Sequence, residues 1–220
     1  MSNRKNDSFL VLLVLMSLTA IKTSQAEPLE ESLASVENRW ANAAYKTVGR
    51  QQTKALKSLL NDVRSLHKTH PDRPEAAAWH GVVARSYMDI KGGSRNLARE
   101  ALDALLSAES LDPLVFGGLV YANLGALYSR APSSLGGFGN RTRGIGYLWK
   151  AIVVDPDGID SNFLYAKILL DEKDYRSARD ALHRANNAPT RIASPEADRV
   201  RKTEVAALLT MVEHRLQEIS

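Results

Sequence analysis

After Pro28, apolar residues recur every three or four positions with charged residues between them, which is the period of amphipathic helices. Beta-branched alternating runs, the mark of half-buried strands, are nearly absent. The pattern predicts helices over residues 29–48, 50–69, 74–90, 95–110, 114–130, 140–154, 159–172, 174–187 and 195–219. Pro71, Pro113, Pro156 and Pro189 each follow an amphipathic segment by a residue or two. There a residue without an N–H ends a helix. Asn140 stands where an N-cap belongs, and Ser194-Pro195-Glu196 supplies a cap, a first-position proline and a first-turn acid. About nine helices with short links make an all-α fold, and internal repetition decides between a bundle and a solenoid.

The chain repeats. Tyr121, Leu124, Gly125 and Tyr128 form aromatic-x-x-Leu-Gly-x-x-Tyr, which resembles the first-helix signature of the tetratricopeptide repeat; Leu148, Ala151 and Pro156 match its second helix. Ala101, Leu105, Ala108 and Pro113 repeat that second helix, after Ala84 and Tyr87 at the small and aromatic places of a first. Ala166, then Tyr175, Ala178, Leu182 and Ala185, make a third copy whose proline, Pro189, is one residue early. Small residues let antiparallel helices approach closely while large ones fill the groove opposite. One hairpin cannot bury its apolar face alone, so hairpins stack. The expectation is an α-solenoid of antiparallel helical hairpins: a degenerate hairpin over 27–74, three repeats over 75–190 and a capping helix over 191–220.

The spacing departs from the ideal repeat of about 34 residues. Pro71 to Pro113 is 42 residues and Pro113 to Pro156 is 43. The extra length is expected between the helices of each hairpin, at Lys91-Gly92-Gly93-Ser94 and over 131–139. Tyr128-Ser129-Arg130-Ala131-Pro132, Gly136-Gly137-Phe138-Gly139-Asn140 and Asp155-Pro156-Asp157-Gly158-Ile159-Asp160 resemble a family of small exported bacterial tetratricopeptide proteins. A fainter similarity runs to the periplasmic T-component of TRAP transporters. The resemblance implies a soluble periplasmic protein that binds a partner or ligand, with no known reaction.

The N-terminus supports export. Arg4 and Lys5 precede an uncharged run of 13 residues, Phe9–Ile21, and Ser24 and Ala26 stand at the −3 and −1 places of a cut after Ala26. A membrane-spanning helix needs about 20 apolar residues; the same segment left uncut would tether the domain on the same side. No cysteine occurs, which excludes a lipid-attached form, thiol catalysis and thiolate metal sites. Removing residues 1–26 leaves 26 basic against 24 acidic residues with the signs interspersed, which argues against a nucleic-acid partner.

Chemistry is sparse. No G-x-S-x-G elbow occurs, so no nucleophile is assigned and the chain is read as a non-enzyme without cofactor. The glycine-rich stretch Ser133–Asn140, with Arg130, Arg141 and Arg143 beside it, opens a helix and suits an anion through Gly137, Phe138 and Gly139. It is no Walker loop, since Ile145-Gly146 replaces the lysine and hydroxyl residue. The competing reading is a connector that tucks Phe138 into the core. Asp155, Asp157, Asp160 and Asn162 fail the EF-hand spacing and read as a turn. His67 and His70 lack a third ligand, so no metal is assigned. Trp79 and Tyr147 are expected to face a groove. The leading reading is a periplasmic scaffold for a protein or peptide; the alternative is a transporter accessory holding a small anion.

Overall fold

The computed structural model describes residues 29–131, 137–191 and 195–219. Among them are nine helices and no strand: α1 (29–45), α2 (Gly49–Thr69), α3 (Pro74–Lys91), α4 (Arg95–Leu111), α5 (Leu119–Arg130), α6 (Arg141–Val154), α7 (Ile159–Asp171), α8 (Tyr175–Asn187) and α9 (Pro195–Glu218). The cleavage point after Ala26, the Ser194 cap and Ser133–Gly136 of the glycine stretch lie outside the described residues.

Local chemistry sets the ends. Ser94 Oγ accepts from Leu97 N–H, Asn140 Oδ1 from Arg143 N–H and Asp174 Oδ1 from Ser177 N–H, each satisfying a donor that the first helical turn leaves open. Pro74 occupies the first turn of α3, and Gly92 closes that helix in the left-handed conformation (φ 86°). One boundary differs from expectation. The segment predicted as helix from 114 is a turn up to Gly118, with Phe116 and Gly117 at φ 54° and 61°. Phe116 spends its ring on Trp79 (centroids 5.8 Å apart), which offsets the strained backbone.

The helices pair as α3/α4, α5/α6 and α7/α8 hairpins. The backbone of α3 also comes close to α5, α5 to α7 and α7 to α9, whereas the backbones of α4, α6 and α8 come close only to the helices before and after them. The first helices therefore line the inner, concave side and the second helices splay outside. Glycines set the closest approaches. A Cβ on Gly81 would meet Leu105 Cγ at 2.5 Å, and one on Gly125 would meet Leu148 Cγ at 2.6 Å. Gly81 thus holds the small place in α3 that the spacing assigned to Ala84. The extra length of this first hairpin is also helical: α3 and α4 have 18 and 17 residues against 13 each for α7 and α8, and only Gly92–Ser94 turns between them.

The core falls into two clusters. One runs from Leu29 through Leu56, Val82, Leu105 and Leu124 to Leu148; the other joins Phe163, Leu182, Val205 and Val212. Leu164 and Tyr165 pack against both.

Candidate functional site

The glycine stretch and its arginines do not form one site. Asn140 N–H donates to Tyr128 O (2.9 Å), and Phe138 stands edge-on to the Tyr128 ring at 5.8 Å with the Arg99 guanidinium 5.1 Å above it. That is the connector with its tucked phenylalanine, and Gly139 is the link to the α6 cap. Arg141 turns away: its Nε donates to Glu172 Oε1 (2.7 Å) and Nη2 to Ile168 O (3.0 Å), tying α6 to the last turn of α7. Arg143 lies 4.5 Å over the Tyr128 ring, and its hydrogen bond with Tyr147 raises its pKa.

The two aromatics expected to face a groove are buried instead. Tyr147 is stacked on Tyr128 (5.6 Å, 2° between planes) and donates its hydroxyl to Glu109 Oε2 at 2.9 Å; burial pushes its phenol up. Trp79 is 4% exposed and fills the space between Trp40 and Phe116.

Arg130, Gly137 and Phe138 do share a neighbourhood, the N-terminal half of α4. A hollow of 160 Å³ there is lined by Arg95, Asn96, Arg99, Gly137 and Phe138 among others, and one of 390 Å³ by Met88, Gly92, Gly93, Arg95 and Arg130. The two share Arg95, Ala98 and Ala131. Arg95, Asn96 and Arg99 were missed in the sequence. The signal for them is two arginines four apart on one helix, a spacing that places like charges together.

The concave side carries buried ion pairs. Arg85, on α3, donates to Asn123 Oδ1 on α5 and to Asp89 Oδ2, both at 2.7 Å. Arg201, on α9, donates through Nε to Asp160 on α7 (2.8 Å) and through Nη2 to the Tyr45 hydroxyl on α1 (3.0 Å), and it pairs with Glu204. The Tyr45 bond joins residues 156 apart, so the first and last described helices meet across the concave face. Burial alone would raise the Asp160 carboxyl, yet Arg201 and Arg191 hold it below the usual range. Lys167 stands 5.5 Å over the Phe163 ring; burial and the facing Arg130 and Arg201 lower its pKa.

A further polar chain crosses three helices. His67 Nδ1 is 3.0 Å from His80 Nδ1, His80 Nε2 is 2.8 Å from Glu100 Oε1, and Arg64 grips both Glu100 oxygens at 2.6 and 2.7 Å. His67 thus pairs with His80 rather than His70. The ring centroids are 5.3 Å apart, so the facing nitrogens point along one line, the geometry of an N–H···N bond with no room for an ion between them. Among the described residues no group of three or more His, Asp or Glu could hold a metal. Asn162 closes the Asp155–Gly158 turn by donating to Pro156 O and Gly158 O.

No protein-family model matches the chain. No curated protein matches it. Solved structures do. A tetratricopeptide protein of Thermus thermophilus, TTC0263, aligns over 85% of this chain and 95% of its own at 15% identity, with a TM-score of 0.51. MamA aligns over 77% of this chain and 93% of its own (15% identity, TM-score 0.46), and PilF of Pseudomonas aeruginosa over 88% and 95% (15%, 0.36). The Thermus match agrees with the hairpin order and glycine contacts above: the chain has the all-α, tetratricopeptide-like solenoid fold.

Proposed function

We propose that the chain is exported, cut after Ala26, and serves in the periplasm as a non-catalytic scaffold that holds a protein partner. The observation that carries this reading is where the polar chemistry goes. Arg64, Arg73, Arg85, Arg141 and Arg201 are each spent on holding one helix to another or on bracing a helix end. What is left exposed is helix surface, the N-terminal half of α4 included. Such a stack presents rigid surface at little ordering cost on binding.

N-terminal sequencing of the exported protein tests the first half: a start at Glu27 is expected, and a retained Met1 overturns it. For the second half, a photo-crosslinking residue at Asn96 is expected to capture one defined periplasmic protein that the same residue at Arg176 does not. Recovery of no specific protein overturns the scaffold. The second reading, a transporter accessory holding a small anion, is supported by the 160 Å³ hollow beside Gly137. It predicts saturable binding of a free carboxylate or inorganic phosphate in the absence of any protein partner.

A further inference from the structure

We propose that the trough around α4 is the docking surface for an extended acidic segment of the partner, an assignment that rests on the scaffold reading.

Charge comes first. Arg95 and Arg99 are exposed one turn apart on α4, and neither forms an ion pair among the described residues. Arg130 faces the same space from the end of α5, with Asp89 no nearer than 4.0 Å. By contrast, Arg64, Arg85, Arg141 and Arg201 hold a carboxylate at 2.6–2.8 Å. Arg99 rests on the Phe138 ring and Arg130 reaches Asp89 only at 4.0 Å, so among the described residues none of the three is held by a carboxylate within 3 Å and each gains from anionic cover.

Shape comes second. The 390 and 160 Å³ hollows share a wall, and the smaller shares Asn96 and Arg99 with a third hollow of 490 Å³ whose far wall carries Glu100 and Asp103, so the acidic segment is confined to the first two and the Arg99 end of the third. Linked hollows along one helix match an extended chain better than a compact ligand. The floor is apolar at Met88, Ala98 and Phe138. One edge is bare backbone: a Cβ on Gly92 or Gly93 would meet nothing within 4 Å, so a partner chain can come close. The α4 N-terminus adds a partial positive charge of the same sense. Guanidinium groups at the rim above an apolar floor suit a peptide that carries both carboxylates and apolar side chains rather than a polyphosphate.

The concave face competes poorly. Its arginines are paired with Asp89, Asp160 and Glu204, and the Tyr45–Arg201 bond spans it.

The test is fluorescence titration of the exported protein with a labelled peptide of alternating Glu and Leu. Saturable binding that weakens with added salt is expected, and at least about tenfold weaker binding for Arg95→Glu/Arg99→Glu. The charge-matched control Arg50→Glu/Arg176→Glu and the concave variant Lys167→Glu are expected to bind like the parent. Thermal melts in parallel show that each variant is folded. Absence of binding, an equal loss in the control, a loss confined to Lys167→Glu, or displacement of the peptide by a single-stranded oligonucleotide but not by unlabelled peptide overturns the assignment. Peptide binding without any partner captured through Asn96 removes the scaffold reading and leaves the acidic-peptide site standing.

Discussion

Two glycines on α6, two residues apart, predict opposite outcomes for the same substitution. A Cβ on Gly144 would strike Ser129 Oγ and come within 2.8 Å of Gly125 O and 2.9 Å of Ser129 N. The hydroxyl can rotate away, but the two backbone atoms belong to α5 and move only if the hairpin opens. Overpacking of this kind costs about 3 kcal/mol at the upper end of its range, and the better helix propensity of alanine returns about 1. Gly144→Ala is therefore expected to lose about 2 kcal/mol, or roughly 4–8 °C of melting temperature for a domain of this size. A Cβ on Gly146 meets nothing within 4 Å, so Gly146→Ala keeps the propensity gain of about 1 kcal/mol and melts roughly 2–4 °C higher. Adding Ser129→Ala to Gly144→Ala removes the hydroxyl contact and leaves both backbone contacts, so less than half the loss should return. Thermal and urea unfolding followed by circular dichroism measure all three. Equal shifts for the two alanine variants, or full rescue by Ser129→Ala, would refute close backbone approach as the reason for glycine here.

Leu105 is fully buried, so Leu105→Ala should cost about 2–5 kcal/mol in urea unfolding, with no change in peptide binding by a variant that remains folded. Arg141→Ala should cost no more than about 1 kcal/mol, because its ion pair with Glu172 is nearly half exposed, and should leave peptide affinity unchanged. The His67–His80 contact predicts acid sensitivity. Burial and the neighbouring His80 lower the His67 pKa, so the folded chain binds fewer protons there than the unfolded one. That contribution is present above about pH 6.5 and is lost as pH falls through the depressed value. The charged groups facing the pair, Arg64 from α2 and Arg99, Glu100 and Asp103 from α4, act in a lower window through Glu100. Its carboxyl is held down chiefly by the Arg64 hydrogen bond, and its contribution is lost as pH falls through that lowered value. Urea midpoints between pH 8 and 5 should fall more steeply for the parent than for His67→Gln; equal slopes would remove the histidine pair from the explanation.

The helices were legible because the three-to-four-residue apolar period and proline punctuation agree, and both act locally. The start of α5 differs from the pattern because Leu114-Val115-Phe116 continues the apolar run, while the backbone turns left-handed at Phe116 and Gly117, where the Phe116 ring meets Trp79. The small place in α3 slipped from Gly81 to Ala84 because the longer helix offers both at helical spacing, and only the Leu105 contact tells them apart. The candidate site was harder still. Arg141 and Arg143 lie beside the glycine stretch in sequence, yet helix rotation sends one to α7 and the other to the tyrosines. The His80 pairing depends on what α2 and α4 bring to it, and the lack of a carboxylate at Arg95 and Arg99 among the described residues depends on what the neighbouring helices leave away, neither of which spacing along one chain encodes.

The Tyr45–Arg201 bond changes how the stack should come apart. In an open array of repeats the two ends each have a single neighbour and fray first, independently of one another. Here α9, when it loosens around Arg201, also strips a partner from α1, so the opening of the first and last described helices is coupled. The array then behaves less like a zipper with two free ends than like a buckled strap. Amide protection near Tyr45 and near Arg201 should therefore fall together when either side chain is removed, through a phenol and a guanidinium 156 residues apart.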